Sequence, residues 1–380
     1  MNYNTETILK IAKRLNNTKR SFLLVNPLQA KHIPVRPEKA LEMMRTFGKM
    51  LSEKYPETKL IIGFAETATA IGAAACESFA DDCVYIHTTR ENFVGEFLYF
   101  SEEHSHAVEQ KLYAEALEER IRATDCIIFV DDEISTGKTL INIAECLKKQ
   151  FPSACGKQFI AASLINRVSE DNEKRLNNAG ISCECLLKLP CGDFEKEVEN
   201  IEVHEAEEIL PQKFEEFTFL RCSLGIPNAR KGVKIGDYKR EVADFMQSAV
   251  KSLNLPENAD LLVLGTEECM YPALIFGEIA EKQFGARVLC HATTRSPIGI
   301  NGAENYPIKS GYKLHSFYES ERQTFIYNLE RHDYAVIVSD AAADFSDGIK
   351  DLCTALSEKS CDKIYFLSVD LKEEKCTSNY

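Results

Sequence analysis

The chain has 380 residues, of which 44% are hydrophobic and 27% are charged, and its formal net charge is −14. This composition is ordinary for a soluble globular protein, and the length predicts two domains at about 150 residues each. The negative charge argues against general affinity for nucleic acid or for anionic membranes, so any phosphate site must be a local arrangement. No stretch approaches ~20 apolar residues and the N-terminus has no apolar signal core, so we expect a cytoplasmic protein.

The fourteen cysteines are scattered, and some lie inside apolar strand patterns. No CxxC pair occurs, which argues against a zinc ribbon and against a dithiol redox motif. The densest group is Cys183, Cys185 and Cys191. A metal site there is the less favoured interpretation, because buried thiols usually behave as small hydrophobic groups. We therefore expect reduced thiols.

Strand and helix patterns alternate along the first half of the chain. Apolar runs predict parallel strands buried on both faces at residues 59–64, 83–86, 126–130 and 158–165. Helical patterns lie at residues 38–55, 69–79, 104–123 and 140–150. This order predicts an α/β fold with βαβ units, a mainly parallel sheet covered by helices, and ligand binding at the carboxyl ends of the strands.

The most informative segment is CIIFVDDEISTGKT, residues 126–139. A buried strand leads to two carboxylates, Asp131 and Asp132, and then to a loop of small and polar residues: Ser135, Thr136, Gly137, Lys138 and Thr139. A loop that enters a helix offers a phosphate free backbone N–H groups and the positive end of the helix dipole. Gly137 lets the backbone approach closely. The paired carboxylates can accept hydrogen bonds from vicinal ribose hydroxyls and help to hold Mg2+.

The segment has two other interpretations. Gly137-Lys138-Thr139 imitates the end of a Walker A loop, but the glycine required five positions earlier is Asp132 here. A plain strand–turn–helix junction with solubilising acids is the structural alternative. We favour a ribose-5-phosphate site, and the segment resembles the corresponding loop of the type I phosphoribosyltransferases.

The second half of the chain echoes the first. Residues 61–79 are echoed by residues 262–284, VYIHTTR at 84–90 by VLCHATTR at 288–295, and CIIFVDDE at 126–133 by AVIVSDAA at 335–342. Gln158 to Leu164 also has a partner in Lys363 to Val369. This order predicts an internal duplication. We predict domains at residues 1–192 and 215–380, joined by an acidic connector at residues 193–214.

The two copies differ at the phosphate loop. The second copy has Ser339-Asp340 at the strand end, no Gly-Lys-Thr, and further acids at Asp344 and Asp347 that would repel a phosphate. We therefore expect the second copy to keep the fold without binding ribose 5-phosphate. Its polar residues at predicted strand ends indicate a second site or a partner surface: Glu268, His291, Thr294, Arg295 and Ser296.

VDDEISTGKT followed by HATTRSP resembles a family of two-domain proteins from bacterial tellurite-resistance and stress-response gene clusters. In these a phosphoribosyltransferase domain precedes a TRSP domain, named after the tetrapeptide present here at residues 294–297. The resemblance covers nearly the whole chain and implies two tandem type I phosphoribosyltransferase-like domains, the second degenerate. It implies 5-phosphoribosyl diphosphate (PRPP) as substrate, Mg2+ bound mainly through PRPP, a base-like acceptor, and partner enzymes from the gene cluster. It leaves the acceptor unidentified.

The resemblance also implies roles for individual residues. Asp131 and Asp132 would hold the ribose hydroxyls, residues 135–139 the 5′-phosphate, and Arg90 the leaving pyrophosphate. The pyrophosphate would also meet the backbone of the loop Ala65, Glu66, Thr67 and Ala68. Glu66 departs from this role, because a carboxylate repels pyrophosphate unless it faces Mg2+ or a base amine. Asp132→Ala or Gly137→Val is expected to abolish PRPP binding with little loss of folding.

Further residues are candidates for the site or for its closure. Residues 91–106 are expected to form a mobile hood that excludes water, with His104 and His106 in a solvated helix start. Lys31 and His32 are candidates for contact with the acceptor base, or form a simple loop. His87 is either a catalytic group or a satisfied histidine at a strand end, and Arg90 is alternatively a surface ion-pair partner.

Other functions stay open at this level. A non-catalytic sensor of PRPP or a nucleotide, and a nucleotide phosphorylase or hydrolase on the same fold, are the alternatives. A PRPP synthetase is disfavoured because no ATP-binding motif is present. We also predict that the two copies face each other about a pseudo-twofold axis, as in a homodimer, so that His291 or Arg295 approaches the first-copy cleft.

Overall fold

The structure is a computed structural model that describes residues 3–17, 20–100, 110–190, 192–209, 217–220, 222, 225–341, 347–361 and 363–372. Within these residues, two mainly parallel sheets occupy successive halves of the chain, and helices cover them. The predicted α/β architecture is therefore confirmed. Over the same residues, no helix combines the length and the apolar character needed to cross a membrane.

The first half of the chain contributes the following elements in order: α1 (Thr5–Ile8), β1 (Lys10–Lys13), β2 (Phe22–Val25), α2 (Pro37–Lys54), β3 (Leu60–Gly63), α3 (Thr69–Cys76), β4 (Val84–His87), β5 (Phe97–Phe100), β6 (Gln110–Tyr113), α4 (Leu117–Arg122), β7 (Cys126–Ile134), α5 (Lys138–Gln150), β8 (Gln158–Asn166), α6 (Glu170–Asn178), β9 (Ile181–Lys188), α7 (Phe194–Glu199) and β10 (Glu207–Glu208). A short 3-10 helix, Pro152–Ala154, precedes β8.

The second half continues with β11 (Thr218–Leu220), β12 (Ile226–Pro227), β13 (Val233–Lys234), α8 (Ile235–Lys251), β14 (Asp260–Gly265), α9 (Met270–Phe284), β15 (Arg287–Ala292), β16 (Gly311–His315), β17 (Gln323–Tyr327), β18 (Tyr334–Ser339), α10 (Asp347–Glu358), β19 (Lys363–Ser368) and β20 (Leu371–Lys372). A 3-10 helix, Ala229–Lys231, precedes β13.

The two sheets share one strand order. The first contains β4-β3-β7-β8-β9 and the second β15-β14-β18-β19-β11, with parallel neighbours throughout. Every residue of β3 is buried, as expected for a parallel strand with helices on both faces. In both sheets a central strand ends in a glycine. Gly63 of β3 pairs with Val130 of β7, and Gly265 of β14 pairs with Val338 of β18. The carboxyl ends of these strands therefore meet at one edge of each sheet.

Two predicted boundaries are wrong. β7 runs on through Asp131 and Asp132 to Ile134, because its pairing with β8 continues to Ile134. Of the helix predicted at residues 104–123, the described part is helical at Leu117–Arg122. Residues 110–113 form a strand instead, which pairs with β5 in antiparallel register and places Phe97 edge-on against Tyr113. The hood segment is described only to residue 100, so His104 and His106 lie outside the described residues.

The two halves exchange short segments at their sheet edges. Val233 in β13 pairs antiparallel with Tyr85 in β4, and Val35 forms an antiparallel bridge with Cys290 in β15. Each segment immediately precedes a long helix, α8 or α2, and these helices pack with α3 and α9 between the sheets. The reciprocal exchange brings the loops after β3 and β14 together.

The described part of the acidic connector packs against the first half. Phe194 in α7 lies 5.3 Å from Phe22 between ring centroids, and Val198 is fully buried. The backbone of His204 pairs with Ile300 of the second half. Residues 194–204 are therefore part of the packed structure.

Candidate functional site

A cavity of about 430 Å³ opens at the carboxyl ends of β3 and β7, a size in the usual range of small-molecule pockets. Most of the predicted site residues line it: Asp131, Asp132, Ser135, Thr136, Gly137, Lys138, Thr139, Ala65, Glu66, Thr67, Arg90, His32, Thr294, Arg295 and Ser296. The remaining predicted site residues do not line it: Ala68, Lys31, His87, Glu268 and His291. The structure thus brings the two halves of the chain together at one cavity.

The paired aspartates sit at the tip of β7. Asp131 accepts a hydrogen bond from the backbone N–H of Asp132 at 2.9 Å. Burial and the nearby Glu133 raise the pKa of Asp132, and hydrogen bonds involving Asp131 and Thr67 oppose that rise. Ligand hydroxyls or a cation placed here would stabilise the charged form of the carboxyl. The tip of β7 therefore suits a ligand that brings hydrogen-bond donors.

The loop after β7 turns directly into α5. Gly137 has φ +71° and caps the helix, which begins at Lys138, so the backbone N–H groups of the first turn face the loop. A Cβ atom at Gly137 would lie 2.6 Å from a methyl carbon of the buried Leu176. The expectation that Gly137→Val leaves folding intact is therefore wrong, because the position requires both a left-handed backbone and the absence of a side chain.

Glu66 is neutralised from both halves of the chain. It forms a short ion pair with Lys31, which is fully buried, and its Oε2 lies 3.5 Å from Nε of Arg295. Burial alone would raise the pKa of Glu66, but Lys31 and Arg295 lower it. Lys31 also donates to the carbonyl oxygens of Glu267 and Thr293 at 3.1 and 2.9 Å. Lys31 is thus an interdomain anchor, and its assignment to the acceptor base is wrong.

The segment that carries Arg90 is held by the second half. The backbone N–H of Arg90 and the hydroxyl of Thr89 donate to Glu268 at 3.0 and 2.7 Å. Glu268 is buried and also pairs with Arg230 at 2.8 Å. Burial opposes ionisation, yet Arg230 lowers the pKa of Glu268 to about 2. Glu268 therefore positions Arg90 and does not face the cavity.

Burial disfavours the charged form of two histidines, His87 and His291. Burial lowers the pKa of His87 to about 4 and that of His291 to about 3. Nδ1 of His87 lies 2.8 Å from the carbonyl oxygen of Thr88, and Nε2 of His291 lies 2.9 Å from that of Tyr327. Neither ring lines the cavity. Of the two second-half residues predicted to approach this cavity, Arg295 lines it and His291 does not.

One wall of the cavity consists of residues that the sequence patterns did not indicate. Five residues between β1 and β2 line the cavity: Arg14, Leu15, Asn16, Asn17 and Arg20. Gln110 and Glu133 line it as well. Leu15 donates to the carbonyl oxygen of Pro297 at 3.0 Å, so this turn and the TRSP segment support each other. The polar run NNTKR at residues 16–20 was the available signal, but nothing in the sequence places it beside residues 131–139.

The equivalent strand end in the second half is filled by protein groups. Because Val130 and Val338 pair with Gly63 and Gly265, the register places Asp340 where the first half has Asp132. Asp340 pairs with Arg230 at 2.5 Å and accepts a short hydrogen bond from Tyr318. Residues 342–346, which include Asp344, lie outside the described residues.

Metal-ligating side chains do not cluster in the described part of the chain: no group of three or more His, Cys, Asp or Glu residues there has the geometry for an ion. The cysteines in that part are free thiols, among them Cys183 and Cys185. Cys191 lies outside it.

Two family models match the chain. Residues 8–190 match a phosphoribosyl transferase family, and residues 227–355 match the TRSP domain found C-terminal to it. No curated protein matches the sequence.

Some solved structures are similar to this chain. One is the adenine phosphoribosyltransferase of Giardia lamblia in complex with 9-deazaadenine, with 13% identity, a TM-score of 0.35, and coverage of 49% of this chain and 96% of that one. The enzyme of Trypanosoma brucei, in complex with AMP, pyrophosphate and ribose 5-phosphate, has 13% identity, a TM-score of 0.35, and coverage of 48% and 77%. The enzyme of Saccharomyces cerevisiae has 16% identity, a TM-score of 0.32, and coverage of 48% and 96%.

Proposed function

The chain carries a phosphoribosyl transferase domain followed by a TRSP domain, and we propose that it is a PRPP-dependent phosphoribosyltransferase. It transfers the ribose-5-phosphate group of PRPP to a nitrogen atom of a base-like acceptor and releases pyrophosphate. The product is a nucleotide-type compound of biosynthesis or salvage, in a stress-related context suggested by the gene-cluster resemblance.

The observation that carries this proposal is one shared cavity. The carboxylates of Asp131 and Asp132, the loop at residues 135–139, the loop after β3 and Arg90 all line it. A molecule with two vicinal hydroxyls and phosphates at both ends needs this combination of acceptors, backbone donors and a cation. We assign the ribose to the aspartates, the 5′-phosphate to residues 135–139, and the pyrophosphate to residues 65–67 and Arg90.

Catalysis would consist of positioning and charge stabilisation. The C1′–O bond breaks and pyrophosphate leaves with the electron pair, while the acceptor nitrogen forms the new bond to C1′ from the opposite face and loses its proton to solvent. The transition state has oxocarbenium character, so exclusion of water from the closed cavity protects it. Arg90 takes up part of the charge that develops on pyrophosphate. No nucleophilic side chain is needed.

Mg2+ fits this site as a companion of PRPP. The chain offers two adjacent carboxylates and, among the described residues, no cluster of three or more metal ligands. Mg2+ is commonly held by one or two carboxylates together with substrate phosphates and waters. When bound with PRPP, it would neutralise charge on the leaving group. Asp131 and Asp132 would hold it through PRPP.

The second domain is proposed to be a degenerate copy of the first. The shared strand order and the reciprocal edge exchange support an internal duplication with a pseudo-twofold arrangement. The first domain then spans residues 1–192, the connector 193–214 and the second domain 215–380. Arg230 and Tyr318 already interact with the carboxylate of Asp340, so the second domain would bind no PRPP. It would instead complete the first cavity through Thr294, Arg295 and Ser296.

Calorimetric titration with PRPP, with and without Mg2+, tests the proposal. We expect Mg2+-dependent binding of one PRPP per chain, and its loss in Asp131→Ala/Asp132→Ala. Asp125→Ala is the matched control, because this carboxylate is fully exposed at the other end of the same strand region. Failure of the wild-type protein to bind PRPP would refute the function. Binding without pyrophosphate release with any base would favour a sensor.

A further inference from the structure

The turn between β1 and β2 is a built wall of the cavity. Its two strands pair in register from Lys10 with Val25 to Lys13 with Phe22. From the other side, the backbone of Arg14 bridges Ile298, and the amide of Gly299 donates to the carbonyl oxygen of Lys13 at 2.8 Å. The wall is therefore fixed by both domains, and a side chain on it has a defined place in the cavity.

The cations of this region differ in how their charges are compensated. Arg20 pairs with Glu133 at 2.5 Å, and Glu133 also pairs with Arg167. Arg295 pairs with three carboxylates of the interdomain cluster. The Arg14 guanidinium makes no ion pair with any described residue, and its buried Nε has no hydrogen-bond partner there. Within the described part of the chain, Arg14 is thus a cation of the wall that has no counter-ion in direct contact.

Arg14 stays charged although its surroundings oppose the charge. Burial, followed by the neighbouring Arg20, lowers its pKa to about 10, which still leaves the guanidinium protonated at neutral pH. A partly buried charge without a partner is costly, and an anionic ligand group would relieve that cost. His32 lines the same cavity and adds no charge, because burial and Lys31 lower its pKa to about 3.

The charged groups of PRPP already have other places in this cavity. The loop after β7 takes the 5′-phosphate, and the loop after β3 with Arg90 takes the pyrophosphate. The β1–β2 turn belongs to neither loop, and Arg14 interacts electrostatically with Glu133 and Asp132, at the ribose end. The ligand that meets the turn would then be the one that approaches C1′ from the side opposite to pyrophosphate.

We infer that the acceptor is an anionic heterocycle and that Arg14 binds its acidic group, most simply a carboxylate. A guanidinium presents two parallel N–H donors that match the two oxygens of a carboxylate. Arg14 is therefore a specificity-determining residue that acts on the acceptor and not on PRPP. This inference rests on the proposed function, because it names the acceptor class for the same cavity.

The test uses matched pairs of heterocycles that differ in an acidic group: nicotinate against nicotinamide, and orotate against uracil. Binding to the PRPP-loaded protein is measured by calorimetry, and turnover by pyrophosphate release. We expect only the carboxylate member of a pair to bind. Arg14→Gln should weaken that binding by about 10- to 100-fold, the usual range for a charge-assisted hydrogen bond, and leave the Kd for PRPP unchanged.

Two further variants separate binding from folding. Lys10→Gln removes the same charge from an exposed position on the same hairpin, outside the cavity, and should change nothing. Arg14→Lys keeps the charge but loses the planar fork, so it should bind the carboxylate with intermediate affinity.

Three results would overturn the inference: equal or tighter binding of the uncharged members, no binding of either carboxylate member, or a loss of PRPP affinity in Arg14→Gln as large as the loss for the acceptor. Failure of the proposed function is seen separately, because PRPP alone would then not bind to the wild-type protein.

Discussion

Nε of Arg295 lies 3.5 Å from Oε2 of Glu66, and both residues line the same cavity. The tetrapeptide that names the second domain thus touches the loop that we assign to pyrophosphate. Lys31 pairs with the same carboxylate from the opposite side. From the sequence alone, a glutamate in this loop is expected to repel pyrophosphate, which is a difficulty for the assignment. The two interior cations remove it, because they compensate the charge and leave the loop backbone to face the ligand.

Glu66→Gln should destabilise the fold strongly. Glu66 is 6% exposed and Lys31 is fully buried, so the substitution leaves a buried ammonium with only carbonyl oxygens as partners. Breaking a buried ion pair from one side typically costs about 3–5 kcal/mol, measured here as the free energy of unfolding in urea. Glu38→Gln removes the same charge from the exposed pair with Arg36 and should cost less than about 1 kcal/mol. Equal losses in the two variants would show that Lys31 does not depend on Glu66.

Gly137→Ala should lower the free energy of unfolding by more than the strain of a left-handed backbone alone. Gly137 and Gly156 both have positive φ, +71° and +84°, but a Cβ atom meets Leu176 at Gly137 and nothing within 4 Å at Gly156. Gly156→Ala should therefore cost about 1–2 kcal/mol, and Gly137→Ala about 1–3 kcal/mol more through overpacking. Urea unfolding of both variants and of Gly137→Ala/Leu176→Ala measures the difference. A double variant without any coupling between the two sites would contradict the steric explanation.

Much of the first domain could be predicted because the sequence patterns that indicate its elements are local. The apolar run before Asp131 and the glycine that opens α5 are adjacent in the sequence, and so the strand, the loop and the phosphoribosyl transferase family were predicted and are confirmed. The duplication, in contrast, stays a proposal. The helix expected at residues 104–123 is correct at Leu117–Arg122 and wrong at residues 110–113, where the pairing of β6 with β5 overrides the local pattern.

The missed residues depend on contacts between distant parts of the chain. Arg14 lines the cavity because its neighbour Leu15 bonds to Pro297, and Lys31 points into the interface because Glu66 lies there. A polar residue after a strand looks the same in sequence whether it faces a cleft or a buried partner. Only the packing of the two domains distinguishes these cases.

The buried histidines should make the protein sensitive to acid. An unfolded histidine titrates near pH 6.5, whereas burial holds the pKa of His87 at about 4 and that of His291 at about 3. Between pH 6.5 and 4 the unfolded chain therefore binds protons that the native state does not, so stability falls as the pH is lowered through this window. Each histidine contributes a slope that approaches about 1.4 kcal/mol per pH unit.

Histidine variants are needed to isolate this contribution, because Glu91 changes stability in the opposite direction. Burial raises the pKa of Glu91 to about 7, so the native state gains stability from this group as the pH is lowered. The free energy of unfolding in urea is compared at pH 5 and pH 7. His87→Gln should reduce the loss of stability at pH 5, and His204→Gln, at an exposed position, should not. An unchanged pH dependence in His87→Gln would mean that His87 is charged in the folded protein.

Arg295→Gln should weaken PRPP binding. Arg295 pairs with Glu66, Glu91 and Glu267, and its loss leaves those carboxylates with less positive charge beside a cavity that must take a polyanion. We expect the Kd for PRPP to rise on the order of tenfold at low salt, and less at 0.5 M salt because screening shortens the range of the repulsion. Arg287→Gln removes an exposed arginine from the far end of β15 and is the matched control. Calorimetry at both salt concentrations measures the effect, with a thermal melt of each variant to verify folding. If Arg295→Gln binds PRPP as tightly as the control, Arg295 contributes nothing to the binding of PRPP.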